Sequence, residues 1–292
     1  MASDTAAMNE QSGAAQAPTW KKVVGSVVLF WIGYLLITFG VGFVTRMSIS
    51  SEVWQLTAWG GISSIGLIAL SWFLSRSDKG GPADLEWRVR PSSLGRLGVG
   101  LLVGAGSFAV HVLIISIFAG RIRFEWVPDV GVGIVLIYFA RFLSTSCMEE
   151  IGFRGFALQR LSEKMGTWPV VCITAEFFGL SHLSYGWSLQ TIALGVIPGG
   201  LLWGMSAVAT GGLAVPIGLH AAWNFAGWTA GSRAETGLLQ MIVEEDAMER
   251  TQLVGTASYW FTFGTLTVAF WLVHRRNVRN EAASLALAGS EG

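Results

Sequence analysis

Long apolar runs separated by short polar clusters organise this chain. They cover roughly residues 23–44, 53–74, 97–119, 131–152, 168–184, 189–208, 212–230 and 257–274. Several exceed the ~18 residues that mark a membrane-spanning helix. The pattern predicts an all-α, polytopic transmembrane helix bundle of about eight spans. Residues 1–20 are polar and rich in Ala, Ser and Gln, and read as a disordered cytoplasmic tail. Residues 21–280 form the expected integral membrane domain, and 281–292 a short disordered tail. The first apolar run follows Lys21 and Lys22. It is too long for a signal-peptide core and lacks a small-residue cleavage site, so it reads as an anchor.

Composition agrees with a lipid bilayer as the main partner. Of 292 residues, 52% are hydrophobic and 13% charged, against roughly 25% charged in soluble domains. Net charge is zero and no basic stripe is present, so no nucleic-acid partner is expected. Cys147 and Cys172 are too few for a disulfide framework or a cysteine-based metal site. The 37 glycines suit close helix packing in a membrane. Trp20, Trp54, Trp72, Trp126, Trp168 and Trp187 fall near span ends, where an interfacial belt belongs.

Basic residues set the expected orientation. With the N-terminus in the cytoplasm, Lys21, Lys22, Arg76, Lys79, Arg88, Arg90, Arg96, Arg160, Lys164, Arg275, Arg276 and Arg279 lie inside. Arg46, Arg121, Arg123, Arg233 and Arg250 lie outside. Twelve against five predicts that both termini are cytoplasmic. The expected location is a bacterial plasma membrane. Glu244, Glu245, Asp246 and Glu249 then form a solvated acidic face in the last outer loop.

Ionisable residues at membrane depth cost at least ~2.5 kcal/mol each on insertion scales, so each demands a reason. Three groups stand out. In Glu149-Glu150-Ile-Gly-Phe-Arg154, Glu150 and Arg154 are four apart and share a helical face. Glu149 is turned ~100° away from that pair. Glu150 therefore reads as a structural member and Glu149 as the better general base. The alternative is an ion pair at a helix end. The second group is Phe178-Gly-Leu-Ser-His182. A turn near Gly166 would fold spans four and five into a hairpin. Glu149 is 17 residues before Gly166 and His182 is 16 after it. At ~1.5 Å per residue both sit about 25 Å from the turn, at nearly one depth. They could hold one water between them. The third group is His220-Ala-Ala-Trp-Asn224, with His and Asn on one helical face. Both are hydrogen-bond donors of the kind an oxyanion hole needs. Taken alone, it could also be interhelical polar glue. His111 and His274 read as bland: the first lacks an obvious partner and the second sits at a helix end. A polar cavity among spans four to seven is expected, opening toward the cytoplasm or sideways into lipid.

Glu-Glu-x-x-x-Arg, then Phe-x-x-x-His, then His-x-x-x-Asn, all on apolar helices, resembles the CPBP family. This family (CAAX proteases and bacteriocin-processing enzymes, also called ABI) includes the CAAX prenyl endopeptidases of the Rce1 type. The residues that carry the resemblance are Glu149, Glu150, Arg154, Phe178, His182, His220 and Asn224, within a protease core of about 130–230. The resemblance implies an intramembrane endopeptidase acting on a membrane-associated protein or peptide. Glu149 and His182 would activate water, and His220 and Asn224 would stabilise the oxyanion. Glu150, Arg154 and Phe178 would support the site. The family has been described both as metal-dependent and as metal-free. Neither His-Glu-x-x-His nor a cysteine zinc motif is present, so no cofactor is expected. The alternative is one divalent metal such as zinc at Glu149, His182 and His220. Glu176 departs from the family pattern, and it could partner Arg141 or tune the site.

Two other functions use the same residues. A proton-coupled transporter also buries Glu and His, but no inverted repeat is visible. A non-catalytic immunity or scaffold protein would have no need of all four polar residues.

Overall fold

A computed structural model of the protein describes residues 18–76, 91–120, 122–232 and 237–290. Of the tail expected at 1–20, residues 1–17 lie outside the described residues, as do Lys79, Arg88, Arg90, Arg121 and Arg233 of the loops, and Trp20 already opens the first helix. Among the described residues the apolar runs become eight helices. These are α1 (Trp20–Ser48), α2 (Glu52–Arg76), α3 (Pro91–Phe118), α4 (Val132–Ser162), α5 (Thr167–Ser181), α6 (Leu189–Thr210), α7 (Ala214–Thr229) and α8 (Met248–Ser290). By length and composition, α1, α2, α3, α4 and α6 can each cross a membrane.

The helices bury one stripe each and leave the rest to lipid. In α1, Val23, Val27, Phe30, Tyr34 and Thr38 recur every three or four residues and are buried. Leu36 and Phe43 on the opposite face are 70% and 68% exposed. An apolar outer surface of this extent needs a bilayer to cover it.

Glycine lets the central pair approach closely. A methyl group at Gly100 or Gly104 of α3 would run into the backbone of Val215 or Leu219 in α7. A methyl at Gly218 of α7 would strike the backbone of Leu97 in return. Backbone-on-backbone packing replaces the hydrophobic drive that lipid cannot supply. Gly60 in α2 meets the backbone of Ser144 and Thr145 in α4 in the same way.

Two features depart from the sequence reading. First, α8 continues as helix to Ser290, so the expected disordered tail is helical over residues 281–290. The run Glu281-Ala-Ala-Ser-Leu-Ala-Leu-Ala consists largely of strong helix formers. Second, the loops before α4 and before α8 pair as a two-stranded antiparallel ribbon. β1 (Ile122–Trp126) runs against β2 (Leu239–Val243), with Phe124 opposite Met241. Each strand is five residues long, and their partnership is between segments far apart in sequence, which apolar periodicity does not report.

Candidate active site

The local backbone aims the site residues. Helix α4 widens into a π turn over Ile151–Gly155, immediately after the two glutamates. Such insertions re-aim side chains and cluster at functional sites. Tyr34 of α1 lies flat against Gly152, where a β-carbon would not fit. Helix α5 ends at Ser181, and His182 opens a short 3₁₀ turn, His182–Tyr185, closed by Gly186 at φ 77°. A left-handed backbone of this kind favours glycine. A second π turn, Ile192–Val196, lies in α6, and the Tyr259 hydroxyl of α8 donates to its Gly195 carbonyl.

The seven residues converge in space and divide into two sets. Glu150 and Arg154 are completely buried. Their charged atoms approach to 3.5 Å, and Arg154 Nη2 donates to the Gly200 carbonyl of α6 at 2.9 Å. Glu149, Phe178, His182, His220 and Asn224 line a single cavity of about 1310 Å³. The guanidinium of Arg154 lies 4.5 Å from the centre of the Phe178 ring, so that ring separates the buried cation from the cavity.

His220 joins the two sets. Its Nδ1 lies 2.8 Å from Glu150 Oε1, and its Nε2 lies 3.5 Å from Glu149 Oε2. A carboxylate accepts, so Nδ1 carries a proton and Nε2 faces Glu149. Trp203 of α6 stacks on the imidazole at 4.8 Å with planes 16° apart, which fixes the ring's plane. His182 is held differently: its Nδ1 donates to the Phe178 carbonyl at 2.9 Å. In the neutral ring its Nε2 is then the bare acceptor. Tyr185 and Trp187 pack around that ring at 5.4 and 5.0 Å.

Several contributors escaped the sequence reading. Trp203 and Tyr185 line the cavity, and the hydroxyls of Tyr34 and Tyr185 bond to each other close to Glu149. A tyrosine inside an apolar run is a usable signal, because its hydroxyl needs a partner when buried. His111 also lines the cavity, and its Nδ1 lies 3.0 Å from Ser258 Oγ of α8. Arg141 lies along the same wall as Glu149, over the rings of Tyr138 and Phe142. Glu176 is exposed on the other side of α5, beside Cys172.

Among the described residues, no group of three His, Cys, Asp or Glu side chains is placed to share a metal ion. Both Nδ1 atoms are committed to Phe178 and Glu150, and His220 Nε2 is directed at Glu149. The committed Nδ1 atoms leave only the Nε2 of each ring to ligate an ion, and among the described residues Glu149, His182 and His220 are not placed together as a set of three.

One end of the bundle is sealed and the other open. Arg96 Nη1 donates to the Thr210 carbonyl at 2.9 Å, and Asn277 Nδ2 to that of Ala209 at 3.1 Å. Thr167 Oγ1 and His274 Nε2 lie 3.1 Å apart. These bonds tie the helices together at the end that holds the start of α1 and the far part of α8, and none of these residues lines the cavity. The cavity wall instead includes Arg46 and Glu52 beside the α1–α2 turn, Gln190 at the start of α6 and Gln252 at the start of α8. The expected cytoplasmic opening and the expected cytoplasmic termini therefore cannot both hold.

The comparison with known families bears on the segment that builds this cavity. Residues 131–226 match the model of the type II CAAX prenyl endopeptidase Rce1-like family. This segment is similar to the Rce1-like domain. No curated protein matches the chain. The Rce1-like segment runs from the start of α4 to α7 and contains all seven motif residues. The match supports a CAAX protease-type peptidase. With five apolar helices long enough to span among the described residues, the chain is an integral membrane protein.

Proposed function

We propose that the chain is an intramembrane endopeptidase that hydrolyses a peptide bond of a membrane-associated protein or peptide inside this cavity, without a metal. The observation that carries the reading is that Glu149 of α4, His182 of the turn after α5, and His220 and Asn224 of α7 share one cavity large enough for a peptide. Water held between Glu149 and the bare Nε2 of His182 loses a proton to the Glu149 carboxylate as its oxygen attacks the scissile carbonyl. The carbonyl oxygen becomes an oxyanion, toward which Asn224 Nδ2 and His220 Nε2 donate. The Nδ1 proton of His220 is already given to Glu150, so donation from Nε2 requires the imidazolium, with Glu150 as counter-charge. This is the orienting role of the buried carboxylate in a nucleophile–His–acid triad. As the tetrahedral intermediate collapses, Glu149 returns its proton to the leaving amine and the peptide bond breaks.

Arg154 holds Glu150 in place and is itself tied to α6 through Gly200. Phe178 supplies both the carbonyl that orients His182 and the ring that screens Arg154.

The test compares peptide termini in membranes of cells making wild type or Glu149→Gln, at matched levels of inserted protein. New termini that appear only with wild type are expected, and they name the substrate and bond together. Identical sets of termini would overturn the proposal.

A further inference from the structure

We infer that the cavity takes its peptide from the non-cytoplasmic side of the membrane, through the outer half of the bilayer. This deepens the peptidase reading and rests on it for the word peptide; the sidedness stands on separate observations.

The first observation is the direction of the cavity. Its mouth residues come from the last turn of α1 (Arg46), the first turn of α2 (Glu52), the start of α6 (Gln190) and the start of α8 (Gln252). All four positions lie at the end away from Trp20 and Ser290. From Glu52 the cavity descends along α2 past Gln55, Leu56 and Trp59, and the next residue, Gly60, has no room for a β-carbon against the backbone of Ser144 and Thr145, one turn before Glu149. At ~1.5 Å per residue, the glutamate lies about 20 Å below the mouth. At the other end, the bonds Arg96–Thr210, Asn277–Ala209 and Thr167–His274 link α3, α5, α6 and α8, and none of these residues lines the cavity.

The second observation is charge. The sealed end carries Lys21, Lys22, Arg76, Arg96, Arg160, Lys164, Arg275, Arg276 and Arg279. The open end carries Arg46, Arg123 and Arg250 among the described residues, beside Glu244, Glu245, Asp246 and Glu249. The connecting segments are short, so the excess of Lys and Arg marks the cytoplasmic end. The sealed end is therefore cytoplasmic and the mouth faces outward.

The third observation concerns the flank. Phe39, Phe43 and Leu194 line the cavity and yet are 55%, 68% and 41% exposed. The wall between the second half of α1 and the first half of α6 is thus open to the apolar surround at the mouth end. A polypeptide anchored in the membrane can slide in there with its anchor still in lipid. The substrate class is accordingly a membrane-anchored chain whose cleavable segment lies outside the cytoplasm or in the outer leaflet.

The test uses the full chain with Cys147→Ser and Cys172→Ser, plus one new cysteine. Glu249→Cys stands at the mouth end and Ser284→Cys at the far part of α8. Each is treated with a membrane-impermeant maleimide in spheroplasts and in inverted membrane vesicles. The expected result is labelling of Glu249→Cys in spheroplasts, and of Ser284→Cys only in inverted vesicles. The reverse pattern overturns the sidedness whatever the catalytic chemistry. In parallel, the termini that depend on Glu149 are mapped on their parent proteins. Cuts in non-cytoplasmic or outer-leaflet segments support the substrate class, and cuts in cytoplasmic segments overturn it. Outward labelling with no Glu149-dependent termini would remove the peptidase reading and leave an outward-facing cavity.

Discussion

Glu150 and His220 are 70 residues apart in sequence, and the Glu150 carboxylate accepts a 2.8 Å hydrogen bond from His220 Nδ1 in a fully buried site. The same oxygen faces Arg154 at 3.5 Å. One carboxylate therefore orients the imidazole that reaches the cavity and neutralises the guanidinium that does not. Structure and chemistry meet on this atom.

Removing Glu150 should unfold the site before it affects chemistry. Glu150→Ala leaves Arg154 and His220 buried without their partner, and a broken buried pair costs roughly 3–5 kcal/mol. The expected outcome is a large drop in thermal midpoint or in the yield of monodisperse protein in detergent. Normal stability with lost turnover would assign Glu150 a purely chemical role.

Arg154→Ala and Glu149→Gln should separate. Arg154 is buried and bonded to both Glu150 and Gly200, so its loss should reduce folded protein. Glu149 is partly accessible on the cavity wall. Its amide should leave stability unchanged and lower turnover by about 100-fold or more, the usual scale of general-base catalysis. Turnover and melting temperature measured on the same preparations check the division. Equal losses of both in the two variants would contradict it.

The α3–α7 contact should not tolerate side chains. At Gly104 a β-carbon already meets backbone of Leu219, one residue before His220. Gly104→Val should push α7 outward and move His220 away from Glu150. Overpacking of this kind costs about 1–3 kcal/mol. We expect lower stability together with lost turnover, whereas Gly106→Val, which meets nothing within 4 Å, should be mild in both assays.

Glu176 should be dispensable for chemistry. It is exposed on α5, beside Cys172, and does not line the cavity. Glu176→Gln should change stability by no more than about 0.5 kcal/mol, as at other surface positions, and turnover should be retained. A loss of turnover comparable to Glu149→Gln would mean that Glu176 reaches the site in the working enzyme.

Much of the site was legible because helical spacing is short-range geometry. Four-residue intervals predict the Glu150–Arg154 pair, and the chain delivers it at 3.5 Å. Counting residues from the Gly166 turn put Glu149 and His182 at one depth, and both line the same cavity. What spacing could not report was the partner of each imidazole. His220 was paired in sequence with Asn224, yet its Nδ1 bonds Glu150 on another helix and its ring stacks on Trp203 of a third.

By itself, the sequence determined the membrane class, the helices and the spacing of the polar groups along them. Those follow from apolar run length, a 1.5 Å rise and the cost of a charge in lipid. Only the tertiary structure decided which nitrogen faces which carboxylate, which tyrosines stand beside Glu149, and at which end the cavity opens. Those depend on how helices distant in the chain rotate and tilt against one another, and here glycine-to-backbone contacts and two π turns set that rotation.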